Sequence, residues 1–180
     1  MKQRTPLAVA ASLAVGATPA AARPHDTFSG TCTGLEGYAS FPEQNLTFVP
    51  VDMLMRAHLS GGACSGTLNG REVESVPATG RAELRGPQSC SAGATSGRFT
   101  FALAGRRITG RMTYRRISSR VTARWEGDGG GSALVLVHAR VGLVGEPIGL
   151  DEALQRCAGE GFDRMPIFLD RMATTPAISG

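Results

Sequence analysis

Between Leu84 and Trp125 the chain carries nine arginines and no aspartate or glutamate: Arg85, Arg98, Arg106, Arg107, Arg111, Arg115, Arg116, Arg120 and Arg124. A guanidinium keeps its charge at any accessible pH and presents a planar fork of donors, so such a run is chemistry for anions. Elsewhere in residues 23–180, eight arginines face fifteen carboxylates, and a net charge of +2 therefore hides a segment of +9 and a remainder of −7. One reading is a face that attracts an anionic polymer or lipid head groups. The other is intramolecular, with the surplus carboxylates pairing across strands. The second is the commoner outcome, because a charged outer face is what an antiparallel sheet ordinarily shows water.

Other reactive residues form no comparable pattern. His25, His58 and His138 lie far apart, with no His-Glu-x-x-His or His-x-His spacing, so no metal site is expected. No Gly-x-Ser-x-Gly elbow is present. The glycines of Gly127–Gly131 lack the Lys-Ser/Thr of a phosphate loop and read as a hairpin tip. Glu36, Glu43, Asp128, Glu146 and Asp163 single out no catalytic pair. Asn45-Leu46-Thr47 matches a glycosylation sequon, relevant only in a eukaryotic secretory host. No cofactor motif is found, and the expectation is a non-enzymatic protein.

The elements that position the arginines read mostly as strands. Residues 27–33 put Phe28 and Cys32 on one face. Residues 53–60 alternate, with Met53, Met55, Ala57 and Leu59 opposite Leu54, Arg56, His58 and Ser60. Asn69-Gly70 is a type I′ turn signal. The clearest block is 97–138, four strands with short turns. It sends Phe99, Phe101, Leu103, Ile108, Met112, Tyr114, Val121, Ala123 and Trp125 inward, and Arg107, Arg111, Arg115, Arg120 and Arg124 to one solvent face. Because Tyr114 and Trp125 fall opposite the arginines, no stacking platform accompanies the charge, and nucleic acid is disfavoured. The run SALVLVHA reads as a more fully buried strand. A helix is predicted on Leu150, Ala153, Leu154 and Cys157, capped by Asp151, with Arg156 at its end and Gly159 as a left-handed stop. Residues 165–172 form a last strand, placed at an edge by Pro166.

The start of the chain reads as an address. Lys2 and Arg4 precede an eleven-residue apolar run at 7–17, then Pro19 and Ala20-Ala21-Ala22, the pattern of a signal peptide at 1–22 followed by one domain at 23–180. No later stretch is long and apolar enough for a transmembrane helix. Export to the extracellular space or cell envelope makes Cys32, Cys64, Cys90 and Cys157 two disulfides. Cys157 on the apolar helix face and Cys32 beside Phe28 suggest Cys32–Cys157 with Cys64–Cys90; the alternative is Cys32–Cys64 with Cys90–Cys157. The motifs FSGTC, GACSGTL, SCSAG and WEGDGGGSA together resemble those of small, uncharacterised secreted β-rich proteins of actinobacteria. The resemblance implies export and a β fold and transfers no catalytic residue.

The expected fold is all-β: an antiparallel barrel or two-sheet sandwich of about eight or nine strands with one short C-terminal helix. The first functional expectation is a surface protein whose face of Arg107, Arg111, Arg115, Arg120 and Arg124 meets an anionic partner. The alternative is a carrier holding a small apolar ligand among Phe99, Phe101, Met112, Tyr114 and Trp125.

Overall fold

The computed structural model describes residues 25–117, 120–139, 148–174 and 177–180, without the side chains of residues 120 and 137–139. The expectations for residues 1–22 and for the Arg120 and His138 side chains lie outside the described residues. The elements run β1 (Thr27–Ser40), β2 (Val51–Leu68), β3 (Arg71–Gln88), β4 (Ala92–Leu103), β5 (Arg106–Ile117), β6 (Arg120–Gly127), β7 (Ser132–Ala139), α1 (Leu150–Ala158), β8 (Arg164–Thr174) and β9 (Ile178–Ser179).

Strands β1 to β8 each pair antiparallel with the next, and β1 pairs with both β2 and β8, which closes an eight-stranded up-and-down barrel. The short β9 adds to the start of β1 through Thr27↔Ser179 and Phe28↔Ile178. Closure decides between the two expected architectures in favour of the barrel. It also corrects the edge position for Pro166: β8 has neighbours on both sides. Proline is accommodated because it lies near the strand's start, opposite Tyr38, one residue before the described β7–β8 pairing begins at Ala139↔Ile167.

Period-two alternation sends one face of each strand inward. Phe28, Leu35, Met53, Leu84, Phe101, Ile108, Val135 and Leu169 are all almost fully buried. The hairpin turn falls at Asn69 and Gly70, both with positive φ (51° and 77°). SALVLVHA is not buried on both faces: Ala133 and Val135 point inward, while Leu134 and Leu136 are 58% and 45% exposed. A barrel has one interior, and nothing in the described structure packs outside β7.

Helix α1 covers one barrel end. Segment 41–49 ties it there, through Phe41 N–H to the Asp163 carbonyl (2.8 Å), reciprocal bonds between Leu46 and Phe162, and Phe48 N–H to the Cys157 carbonyl (3.1 Å). Its buried face is Ala153 and Cys157; Leu150 and Leu154, expected inside, are 72% and 46% exposed. The narrow contact suffices because a disulfide anchors the helix. The N-cap is Gly149 without a side-chain cap, Asp151 sits in the first turn, and Gly159 stops the helix at a negative φ (−112°); the left-handed residue is Gly161 (75°).

The disulfides are Cys32–Cys64 and Cys90–Cys157, which corrects the expected Cys32–Cys157 and Cys64–Cys90. Register is the reason. Cys32 and Cys64 are direct partners across β1 and β2, with Cα atoms 4.0 Å apart. Cys90, in the turn after β3, lies under α1 with its Cα 6.1 Å from that of Cys157.

Candidate functional site

The outer wall of β3–β7 gathers the arginines. Arg107, Arg111 and Arg115 alternate along β5 and are exposed, and Arg124 is exposed on β6. Thr113 pairs with Arg124, so Arg124 sits diagonally between Arg111 and Arg115, with spacings of roughly 8 Å. Four of the five expected face residues therefore share one surface. The backbone of Arg120 pairs with Ile117 on the same wall.

Carboxylates take some of this charge. Arg124 bonds Glu126 (3.1 Å), Arg85 bonds Asp52 (3.3 Å) and Glu43, Arg98 bonds Asp128, and Arg56 bonds Glu83 (2.9 Å). Arg98 and Arg111 are direct cross-strand partners, an arrangement that would repel. Asp128 relieves it. Its carboxyl is held below the ordinary value first by the Thr109 hydroxyl bond, then by Arg98, with Arg111 adding charge. Among the described residues, the guanidinium groups of Arg107, Arg111 and Arg115 have no carboxylate oxygen within 4 Å. Intramolecular pairing thus accounts for part of the cluster and, among the described residues, leaves the β5 row without a direct ion pair, Arg111 acting on Asp128 only at longer range.

Small side chains lie between the long ones. Ala94, Ser96, Thr113 and Thr122 floor a groove of about 590 Å³, walled by Arg85, Arg115, Arg124, Pro87 and Leu134. Arg85–Ser96–Thr113–Arg124–Leu134 is one continuous cross-strand row. In the groove Arg85 and Arg124 are already ion-paired, and among the described residues Arg115 is the guanidinium without a carboxylate partner; with the floor hydroxyls of Ser96, Thr113 and Thr122 it suits anionic oxygens.

The barrel interior brings together the other expected set. Trp125 stacks on Phe99 (centroids 4.7 Å apart) and tilts against Phe101 (5.8 Å). Met112, Tyr114 and Trp125 face Met55, Gly80 and Ala82 across a cavity of about 40 Å³. That is near the volume of one water and far below the roughly 300–1,000 Å³ of small-molecule sites. Among the described residues, the buried Trp125 indole N–H has no hydrogen-bond partner.

Sequence reasoning counted Arg116 in the charged segment without assigning it a face; it is 3% exposed and points inward. Its guanidinium donates to the Cys90 carbonyl (2.9 Å) and to the Ser89 carbonyl, pinning the turn that carries the Cys90–Cys157 bridge. Burial depresses its pKa, and burial raises that of Tyr114 beside it. The signal was available: in a strict period-two strand, adjacent Arg115 and Arg116 cannot both face water.

Among the described residues, no cluster of three or more His, Cys, Asp or Glu could hold a metal ion. No family model, curated protein or solved structure matches the chain.

Proposed function

We propose that the protein is an exported, non-catalytic barrel that binds an anionic surface or polymer through the outer wall of β3–β7. The observation that carries this reading is the groove of about 590 Å³ lined by Arg85, Arg115 and Arg124, beside the β5 row Arg107, Arg111 and Arg115, whose guanidinium groups form no ion pair among the described residues. Export is supported by two disulfides, which persist in oxidising compartments, and by the basic–apolar–alanine start of the chain. The charged outer wall and apolar interior are also the inverse of a transmembrane barrel, which turns an apolar band outward.

Binding of long-chain polyphosphate, titrated against salt, tests the reading. Affinity should fall steeply as salt rises, and a triple Arg111→Gln, Arg115→Gln, Arg124→Gln variant should lose most of it. Unchanged binding by the triple variant would sink the proposal. The carrier reading keeps one supporting observation, the unpartnered Trp125 N–H beside an apolar cavity. Native mass spectrometry of the protein from its own host tests both points. Export and two disulfides predict residues 23–180 minus four hydrogens; a carrier predicts extra mass that leaves on denaturation.

A further inference from the structure

The arginine wall carries a second feature that charge alone does not explain. Three large aliphatic side chains stand out from it: Ile117 at 71%, Leu134 at 58% and Leu136 at 45% exposure. Register makes them one patch. Leu134 is the direct partner of Arg124, Leu136 that of Thr122 on β6 and Arg171 on β8, and Ile117 follows Arg115 by two residues on the same face. Leu134 and Leu136 lie about 7 Å apart on β7, and Ile117 about 12 Å from Leu136 across β6. Leu134 also walls the groove that holds Arg85, Arg115 and Arg124. Farther along β3 and β4 the outward positions Arg81, Glu83, Arg85, Ser96, Arg98 and Thr100 are polar, while the small apolar Pro87 and Ala94 lie at the groove end. Carboxylates border the patch at Glu126, ion-paired with Arg124, and at Asp170, the residue skipped by the β8 bulge.

A soluble polyanion would use the guanidinium groups and leave three aliphatic chains in water. An anionic bilayer surface uses both, because peripheral binding sums apolar insertion and attraction to head groups. We infer that the occupant of the β5–β7 wall is an anionic lipid surface, with arginines Arg115, Arg124 and Arg171 at the head groups and Ile117, Leu134 and Leu136 entering the acyl boundary. This inference rests on the proposed anion-binding function and narrows it to one partner.

The test uses the folded, disulfide-bonded protein in sedimentation with vesicles of phosphatidylglycerol and phosphatidylcholine, against vesicles of phosphatidylcholine alone, and in parallel with soluble polyphosphate. The wild type should partition onto the anionic vesicles only. An Ile117→Thr, Leu136→Thr variant, which leaves the groove lining intact, should lose vesicle partition about tenfold or more while polyphosphate binding stays within about twofold. Threonine keeps strand propensity at these exposed positions, and the far-ultraviolet spectrum and melting curve check the fold. Ile117→Thr alone provides a second variant, expected to weaken partition by a smaller factor. Polyphosphate binding without vesicle partition, or a double variant that partitions as well as the wild type, overturns the lipid assignment and leaves the anion-binding function standing. Binding to neither partner overturns both.

Discussion

Arg115 and Arg116 are neighbours in sequence and opposites in environment, and substitution should separate them. Arg115 is exposed and, among the described residues, without a carboxylate partner, so Arg115→Met should leave the melting temperature nearly unchanged. Arg116→Met strips the Ser89 and Cys90 carbonyls of their donors. Hydrogen bonds from a charged group are worth about 1.5–3 kcal/mol, and relief of a buried charge offsets part of that, so a net loss of about 1–2 kcal/mol is expected in thermal unfolding. Trp125, the chain's single tryptophan, offers the converse case. Trp125→Phe removes an unpartnered buried donor together with some packing. Its cost should stay within about 1 kcal/mol, against about 3–5 for Trp125→Ala, measured by circular dichroism. Parity of position made the inward set Phe99, Phe101, Met112, Tyr114 and Trp125 legible from sequence. It also held Arg116, which falls on the inward parity of β5 although it was counted only as part of the charged run.

Among the elements, the meander from β4 to β7 was legible because its strands are sequential, their turns short and their faces alternate. The helix was legible in place but not in depth, since hydrophobic spacing reports which residues share a face and not how far that face is covered. Leu150 and Leu154 share the apolar face and remain exposed. The anchoring of α1 therefore falls on Ala153, the contacts of segment 41–49, and the Cys90–Cys157 bridge. Replacing both cysteines of that bridge with serine should release α1 while the barrel persists. Hydrogen exchange should rise in 150–158 with little change in β4–β7. The global loss should reach at most about 4 kcal/mol on the loop-entropy model. Equal exchange across helix and barrel strands would show instead that the two unfold as one unit.

At the scale of the whole molecule, closure is what the sequence concealed. Barrel and sandwich share the same alternating strands; the difference lies in β1 meeting β8, a pairing with no local signal. The same remoteness hid the cysteine pairing, because facing inward does not specify a partner and register does. Acid should act on the rim opposite α1. Asp26 accepts from the Asn69 amide (2.7 Å) and the Arg107 N–H (3.2 Å), and its carboxyl is held below the ordinary value, first by the Asn69 bond. Asp128 is lowered on the same rim. A depressed carboxylate binds fewer protons folded than unfolded, so its contribution is present above the unfolded pKa of about 4 and is lost as pH falls through the lower folded value. Melting temperature should therefore drop below about pH 4, and Asp26→Asn should flatten that dependence. A variant as acid-sensitive as the wild type would assign the loss to other carboxylates.

The seam between β1 and β8 also sets an order of events. Ser40 pairs with Arg164 and Thr31 with Ala173, so the first strand waits for nearly the last one made. Cys32 and Cys64 can meet in a local hairpin well before that, whereas Cys90 must wait for α1. Refolding should accordingly be slow, in the range of milliseconds to seconds that non-local β topologies show. Until the seam closes, β1 and β8 each present a bare strand edge to any other chain nearby.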